Sequence, residues 1–136
     1  MSLKELWIKN DLPRGDLQLL SESNPSGVLR LTQSNYGIDQ TTYFRNIVFS
    51  NLSWHNIDNK EMASAYFSIV VDGISSGIFK LSISHKPSWE CDQNNYTTGL
   101  HWGDATYIIQ KPHLIGKTLT LYKAIDEDYD YLIDIR

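Results

Sequence analysis

Residues 65–84, AYFSIVVDGISSGIFKLSIS, decide the fold, because they contain two strand-like apolar runs joined by a tight turn. Alternating positions of a strand share one face, and the inward-facing residues here are Phe67, Ile69 and Val71 in the first run and Ile78 or Phe79, Leu81 and Ile83 in the second. Asp72-Gly73 supplies the pair of residues that a tight hairpin turn with positive φ requires. The stretch therefore predicts a β-hairpin over 65–71 and 77–84.

Further strand-like runs flank this hairpin on both sides. Short runs that alternate or are rich in β-branched residues lie at 28–32, 97–102, 105–109, 118–123 and 131–135. Apolar side chains three and four residues apart predict a short helix within 43–52, and 6–18 reads as a segment that crosses the sheet. About seven short strands with one or two short helices indicate a mainly β domain, either a barrel or a sandwich.

The composition fits a single domain over residues 1–136. Apolar residues make up 41% of the chain and charged residues 21%, which is enough for a core and too little charge for disorder. No apolar run reaches the roughly 20 residues of a membrane span, so we expect no membrane partner. Cys91 is the single cysteine, which favours a reducing, cytoplasmic location. Residues 1–3 have the character of a cloning remnant.

The net charge of −4 is concentrated near one end of the chain. Residues 126–136 contain five carboxylates against Arg136, which leaves eleven acidic and eleven basic side chains in residues 1–125. A neutral body can still bind nucleic acid through a local basic patch, because only the phosphates in contact have to be neutralised.

The sequence offers no convincing catalytic motif. It contains neither a Walker loop nor GxGxxG, and no histidine is followed two positions later by lysine, as phospholipase-D-type nucleases require. Asp39 with Asp58-Asn59-Lys60 matches the residue pattern of divalent-metal nucleases, but Asp58 falls in a polar stretch with no predicted strand to hold it. The histidines and Cys91 lack the close spacing of zinc ligands. We therefore expect a binding module rather than an enzyme, with no cofactor and no metal.

Two long polar segments, residues 33–45 and 85–98, carry the main functional indication. Their amides and hydroxyls are the groups that pair with base edges and phosphates in DNA. Loops longer than about 12 residues are uncommon unless they are functional or disordered. The candidate DNA-binding residues are Arg30, Gln33, Asn35, Tyr36, Gln40, Thr41, Thr42, Tyr43 and Arg45 in or beside the first segment, and His85, Lys86, Ser88, Trp89, Gln93, Asn94, Asn95, Tyr96 and Thr98 in the second.

Several of these stretches resemble a known family. LRLTQ (29–33), IDQTTYFR (38–45), ISHKP (83–87) and QNNYTTGLHWG (93–103) are similar to the non-catalytic C-terminal domain of phospholipase-D-like restriction endonucleases of the NgoFVII type. IGKTLTLYK (115–123) with YLIDI (131–135) is similar to the closing strand pair of the plant-type pseudobarrel DNA-binding fold.

This resemblance implies an open seven-stranded pseudobarrel. In that fold, residues 33–45 and 85–98 would be two arms that clasp the major groove of double-stranded DNA. A covalently linked nuclease domain or a second copy of the chain, as a homodimer, would be a further partner.

Two other classes of function stay open from the sequence. A carbohydrate-binding module would stack Trp54, Trp89, Trp102 and Tyr96 on sugar rings, although core packing is the more common role of tryptophan, above all for Trp102. An assembly domain would pair an exposed strand edge, or the helix at 43–52, with a second copy.

Overall fold

The central feature of the fold is a long hairpin, seen in a computed structural model that describes residues 2–19, 27–32, 39, 42–86 and 97–136. Strands β4 (Lys60–Val71) and β5 (Ile74–His85) pair antiparallel along their length. Asp72 and Gly73 form the turn between them with φ of 52° and 81°, in the left-handed region that aspartate and glycine tolerate better than most residues. The predicted hairpin is confirmed.

The described residues extend this hairpin into one sheet. The other strands are β1 (Ser2–Lys9), β2 (Val28–Leu31), β3 (His55–Ile57), β6 (Thr98–His101), β7 (Leu119–Ile125) and β8 (Tyr131–Ile135). The order is β1-β7-β8-β4-β5-β6-β2, and β3 pairs with the start of β4 outside this path. All neighbours are antiparallel except β4 and β8. The sheet curls into an open half-barrel, so the predicted mainly β, seven-stranded open form is confirmed.

A single helical turn (Phe44–Val48) packs against the inner surface of the curled sheet. Phe44 contacts the ring of Trp7 edge to face, with 5.4 Å between ring centroids. The hydroxyl of Tyr131 donates a hydrogen bond to the carbonyl of Val48 at 2.8 Å. Phe67 stacks on Tyr131 at 5.2 Å, within a core of buried apolar side chains from every long strand. The turn is thus fixed to the inner surface at two points.

Side chains bridge the gap between β1 and β2, which lie at opposite ends of the strand order. The indole of Trp7 donates to the carbonyl of Thr32 at 2.7 Å, and the ammonium of Lys9 donates to the carbonyl of Arg30 at 3.0 Å. Asp16 is fully buried, forms an ion pair with Lys9, and accepts hydrogen bonds from the backbone N–H and the Nε of Arg30 at 3.2 and 3.0 Å. We call these five residues the seam.

The chain from 103 to 114 is helical, so the prediction of a strand at 105–109 is wrong. A 3₁₀ turn (Gly103–Ala105) leads into an α-helical turn (Thr106–Ile109), and a second 3₁₀ turn (Pro112–Leu114) follows. Burial follows the helical period of three and four residues rather than the strand period of two. The buried positions are Trp102, Ala105, Ile108 and Ile109.

Two polar stretches are more regular than their composition predicts. Residues 6–9 belong to edge strand β1 rather than to a crossing segment, and 53–61 contains β3 and the start of β4. Asp58 and Asn59, with φ of 52° and 64°, make the turn between these two strands. Edge strands face solvent on one side, so their sequences lack a clear apolar alternation. The helix predicted within 43–52 is confirmed, although it is only five residues long and of π type.

Candidate nucleic-acid interface

The described flanks of both polar segments lie at the same end of the sheet. The chain leaves β2 after Leu31 towards residues 33–45, leaves β5 at His85, and re-enters the sheet in β6 at Thr98. Leu31 pairs with Thr98, and Thr98 pairs with His85. Because neighbouring strands lie about 4.8 Å apart, β2 and β5 are roughly 10 Å apart at this end. The two segments therefore start in one register row from β2 and β5, the two strands that flank β6.

Both flanks of the first segment are fastened to β1. The hydroxyl of Tyr43 donates a hydrogen bond to the carbonyl of Leu6, and the Tyr43 ring contacts Phe44 at 5.3 Å. On the other flank, the carbonyl of Thr32 accepts the hydrogen bond from Trp7 that belongs to the seam. The sequence predicted Tyr43 as a DNA contact, and its hydroxyl is engaged with the protein backbone instead.

Arg45 anchors the end of the first segment to β4. Its Nε and Nη2 donate to the two carboxylate oxygens of Glu61 at 3.2 and 2.9 Å, and its guanidinium lies 4.4 Å from the centre of the Trp54 ring. These hydrogen bonds lower the pKa of Glu61, which keeps that carboxylate ionised. A guanidinium held by two hydrogen bonds and a ring contact orients the segment, so we regard Arg45 as a positioning residue.

Hydrogen bonds join the two ends of the second segment at its base. His85 Nδ1 and Thr98 Oγ1 are 2.8 Å apart, and the backbone N–H of Lys86 donates to the carbonyl of Thr97 at 2.9 Å. His85 and Thr98 are buried, so both hold the base of the segment together. Burial lowers the pKa of His85, while the nearby carboxylate of Glu61 opposes that shift.

The predicted contact residues divide between these anchors and solvent-facing positions. Thr42 is exposed, Lys86 is half-exposed, and the Arg30 side chain remains 43% exposed although it touches Asp16. The remaining candidates lie outside the described residues: Gln33, Asn35, Tyr36, Gln40, Thr41, Ser88, Trp89, Gln93, Asn94, Asn95 and Tyr96. In the divalent-metal nuclease pattern, Asp39 is exposed, and Asp58 and Asn59 occupy the turn that follows β3.

Sequence reasoning missed a basic face on the outside of the sheet. Cross-strand partners point to the same side, so the register assigns the outward positions. Those positions on the four strands are Val28 and Arg30 in β2, Lys60, Met62, Ser64 and Tyr66 in β4, Lys80, Ser82 and Ser84 in β5, and Gly99 and His101 in β6. None of these outward residues is a carboxylate. The alternation of Lys80, Ser82 and Ser84 with the apolar residues Leu81 and Ile83 was the available signal, although Ser84 is itself buried in the folded chain.

Polar groups and an open cavity line this outer face. His101 Nε2 lies 3.0 Å from the hydroxyl of Ser84, and burial together with the charge of Lys60 lowers the pKa of His101. A cavity of about 480 Å³ lies beside them, between the β3 hairpin and the outer side of β4 and β5. Its lining residues include His55, Ile57, Met62, Ser64 and Ser82.

Two kinds of chemistry find no support in the described residues. Gly73-Ile74-Ser75-Ser76-Gly77 spells the GxSxG of serine hydrolases, but it spans a hairpin turn and the start of β5 rather than a strand-to-helix elbow. Within the described ranges, no three histidine, cysteine or acidic side chains come together in a way that would hold a metal ion. None of the helical segments there is long and apolar enough to cross a membrane.

Trp54 and Trp102, two of the candidates for stacking on sugar rings, have rings that are covered or buried. Trp102 is fully buried, and its indole donates to the carbonyl of Asp16 at 2.8 Å. Arg45 covers one face of Trp54, whose indole donates to the carbonyl of Phe49 at 3.0 Å. A carbohydrate site of stacked rings would thus depend on Trp89 and Tyr96, which lie outside the described residues.

Comparison of the chain with protein-family models, curated proteins and solved structures finds no match.

The buried histidine at the base of the second segment should make the domain acid-sensitive. Unfolded histidine takes up a proton near pH 6.5, whereas burial lowers the pKa of His85 in the folded state. The unfolded chain then binds more protons, so the free energy of unfolding should fall as the pH drops from about 7 to about 5. Urea unfolding at several pH values measures this slope.

The matched variants are His85→Gln, which should reduce the slope, and His55→Gln, an exposed control that should leave it unchanged. The window lies above the ordinary pKa of glutamate, so the Glu61–Arg45 pair stays intact throughout. Equal slopes in the wild type and His85→Gln would contradict this account.

Proposed function

We propose that this chain is a sequence-reading, double-stranded DNA-binding module of a restriction-endonuclease-like protein, in which residues 33–45 and 85–98 clasp the major groove. The observation that carries the proposal is the common origin of the two segments in the row Leu31–Thr98–His85. Two polar segments that start about 10 Å apart on a rigid sheet match the major groove, which is roughly 12 Å wide.

The anchors of the segments support a recognition role. DNA-reading side chains need a base that does not move when the duplex binds, because a flexible base costs ordering entropy on association. Arg45–Glu61, Tyr43–Leu6 and His85–Thr98 supply such a base. Lys86 and Thr42 are the described solvent-facing residues beside it, and in the proposed complex they would contact phosphate and base.

The negative net charge is compatible with this function because the acidic turn between β7 and β8 is held away from the site. The backbone N–H of Asp130 donates to the carbonyl of Tyr66, and the Asp130 carboxylate accepts from the backbone N–H of Tyr66. Tyr66 lies five residues along β4 from Glu61, or about 17 Å at strand spacing. That distance exceeds the screening length of about 8 Å at physiological salt.

In a longer protein that contained this module, a separate domain would supply the enzyme activity. We propose that this chain recognises DNA and that cleavage belongs to a phospholipase-D-like nuclease domain linked to it. A homodimer would place two such modules on a symmetric target.

Selection from randomised duplexes tests the function directly. The chain should enrich a defined sequence motif, and its affinity for that motif, measured by fluorescence anisotropy, should fall steeply between about 50 and 200 mM salt. Lys86→Glu should weaken duplex binding about tenfold by replacing an attraction to phosphate with repulsion. Lys123→Glu, at an exposed lysine on β7, is the control and should change affinity by less than about twofold.

Three results would count against the proposal. They are the absence of duplex binding at low salt, enrichment without any sequence motif, and equal effects of the two charge reversals. Salt-insensitive binding to a glycan array would instead favour the carbohydrate-binding alternative.

A further inference from the structure

We infer that the outer face of β2, β4, β5 and β6 is a second nucleic-acid contact, along which a phosphodiester backbone runs from Lys86 to Lys80. This inference rests on the proposed DNA-binding function and extends it from Lys86, in the second polar segment, to a surface outside both segments.

The register arranges the basic side chains of this face as a continuous path. The path begins with Lys60 and Lys86, next to the base of the second polar segment. Glu61 pairs with His85 and both face inward, so the neighbouring residues Lys60 and Lys86 face outward. Arg30 follows on β2, and Lys80 ends the path opposite Tyr66; His101 on β6 lies between them as an uncharged hydrogen-bonding group, because its pKa is lowered by burial and by Lys60. Lys86 lies six positions after Lys80, just beyond the end of β5, which is about 20 Å at strand spacing.

That length matches a run of phosphates. One DNA strand carries a phosphate for every 3.4 Å of helix axis, and its backbone winds around that axis, so a 20 Å length of backbone carries several phosphates but fewer than about six. The path is also continuous with the end of the sheet from which the polar segments start, which allows one duplex to touch both. Charge complementarity therefore identifies the occupant as a nucleic-acid backbone.

Neutral donors lie between the charges. Ser64 and Ser82 are cross-strand partners on the outer face, and both line the cavity of about 480 Å³ beside β3. Hydroxyls are common phosphate ligands in protein–DNA contacts. The outward positions between Lys60 and Lys80 hold no carboxylate, and the one carboxylate placed beside the end of the path, Asp130, accepts a hydrogen bond from the backbone N–H of Tyr66.

This second contact should raise affinity without adding sequence information, because phosphate contacts do not read bases. The double variant Lys60→Gln, Lys80→Gln removes two positive charges from it. Each lost phosphate contact lowers the slope of log K against log salt by about 0.9, so the slope should fall by roughly 1.8. The preference for a selected target over a random duplex should stay unchanged.

The matched control is Lys4→Gln, Lys123→Gln, which removes two charges from a cross-strand pair on β1 and β7. It should leave the salt slope at the wild-type value. Lys80→Gln alone, at an exposed position, should lower the salt slope by half as much. It keeps the test valid if the double variant fails to fold, which urea unfolding would show. In ¹⁵N-labelled protein, a duplex should shift the amide resonances of Ser64, Lys80 and Ser82.

The outcomes separate this inference from the proposed function. Absence of duplex binding by the wild type would overturn both. Sequence-selective binding with an unchanged slope in the Lys60, Lys80 variant, or with no amide shifts on the outer face, would overturn this inference alone. Weaker binding of the variant to heparin or to anionic vesicles, with duplex affinity unaltered, would also overturn it.

Discussion

Replacing Asp16 with alanine should lower the free energy of unfolding by about 3–5 kcal/mol, because it leaves a buried ammonium without its counter-charge. The Lys9 and Asp16 side chains are only 10% and 1% exposed. Burial already lowers the pKa of Lys9, and the Asp16 carboxylate is the main group that opposes this shift. Alanine also removes the acceptor for the backbone N–H and the Nε of Arg30.

A set of variants separates charge from packing at this site. Asp16→Asn should destabilise the fold less than Asp16→Ala, because an amide oxygen can still accept from Arg30. Lys9→Met combined with Asp16→Leu should recover much of the loss, since replacing both partners of a buried ion pair by apolar groups is often close to neutral. Asp128→Ala, at an exposed position, should change the free energy of unfolding by less than about 0.5 kcal/mol.

Urea unfolding followed by tryptophan fluorescence measures these differences. An Asp16→Ala variant as stable as Asp128→Ala would mean that the seam does not depend on its ion pair. A double variant no more stable than Asp16→Ala would mean that the geometry of the seam, rather than its charge balance, is what the fold needs.

The hairpin at 65–84 could be predicted from sequence because its information is local. The alternation of Phe67 and Ile69 and the Asp72-Gly73 turn are properties of neighbouring residues, and the structure has both where the pattern indicates them. Residues 105–109 could not be assigned in the same way, since a short apolar run fits a buried strand and a helical turn equally well. Burial of Trp102 and Ile109 on one side decides it, and that depends on the folded chain.

The candidate site was predictable in part. The sequence identified the two polar segments. It did not indicate that Glu61 anchors Arg45, because these residues lie 16 positions apart and no local pattern connects them. The outer basic face was open to sequence reasoning, because Lys80, Ser82 and Ser84 alternate with apolar residues. No local pattern indicated that Asp16 would be buried in an ion pair, since its partners Lys9 and Arg30 come from the two end strands of the sheet.

The seam and the candidate interface share β2. The same short strand that Asp16 and Lys9 hold also ends at Leu31, where the first polar segment begins. Weakening the seam should therefore loosen the base of that segment before the hairpin of β4 and β5 is affected, because local opening starts in the least well-connected elements.

Trp7 offers the sharpest test of that coupling. Trp7→Ala should lower the free energy of unfolding by about 3–5 kcal/mol, since it empties a fully buried site and removes the edge-to-face contact with Phe44. Trp7→Phe keeps most of the packing and removes the hydrogen bond to the carbonyl of Thr32, so it should cost only about 1 kcal/mol.

Native-state hydrogen exchange gives the local measurement. The amide of Asn46, bonded to the carbonyl of Thr42 at 2.8 Å, reports on the flank of the first segment and should exchange faster in Trp7→Phe. Trp54→Phe also loses a single indole hydrogen bond, to Phe49, but lies away from the seam, so it should leave the amides of β2 at wild-type exchange rates. If Trp7→Phe matched the wild type both in stability and in exchange at Asn46, β1 and the first segment would be energetically independent, and the seam could not be what holds that segment in position.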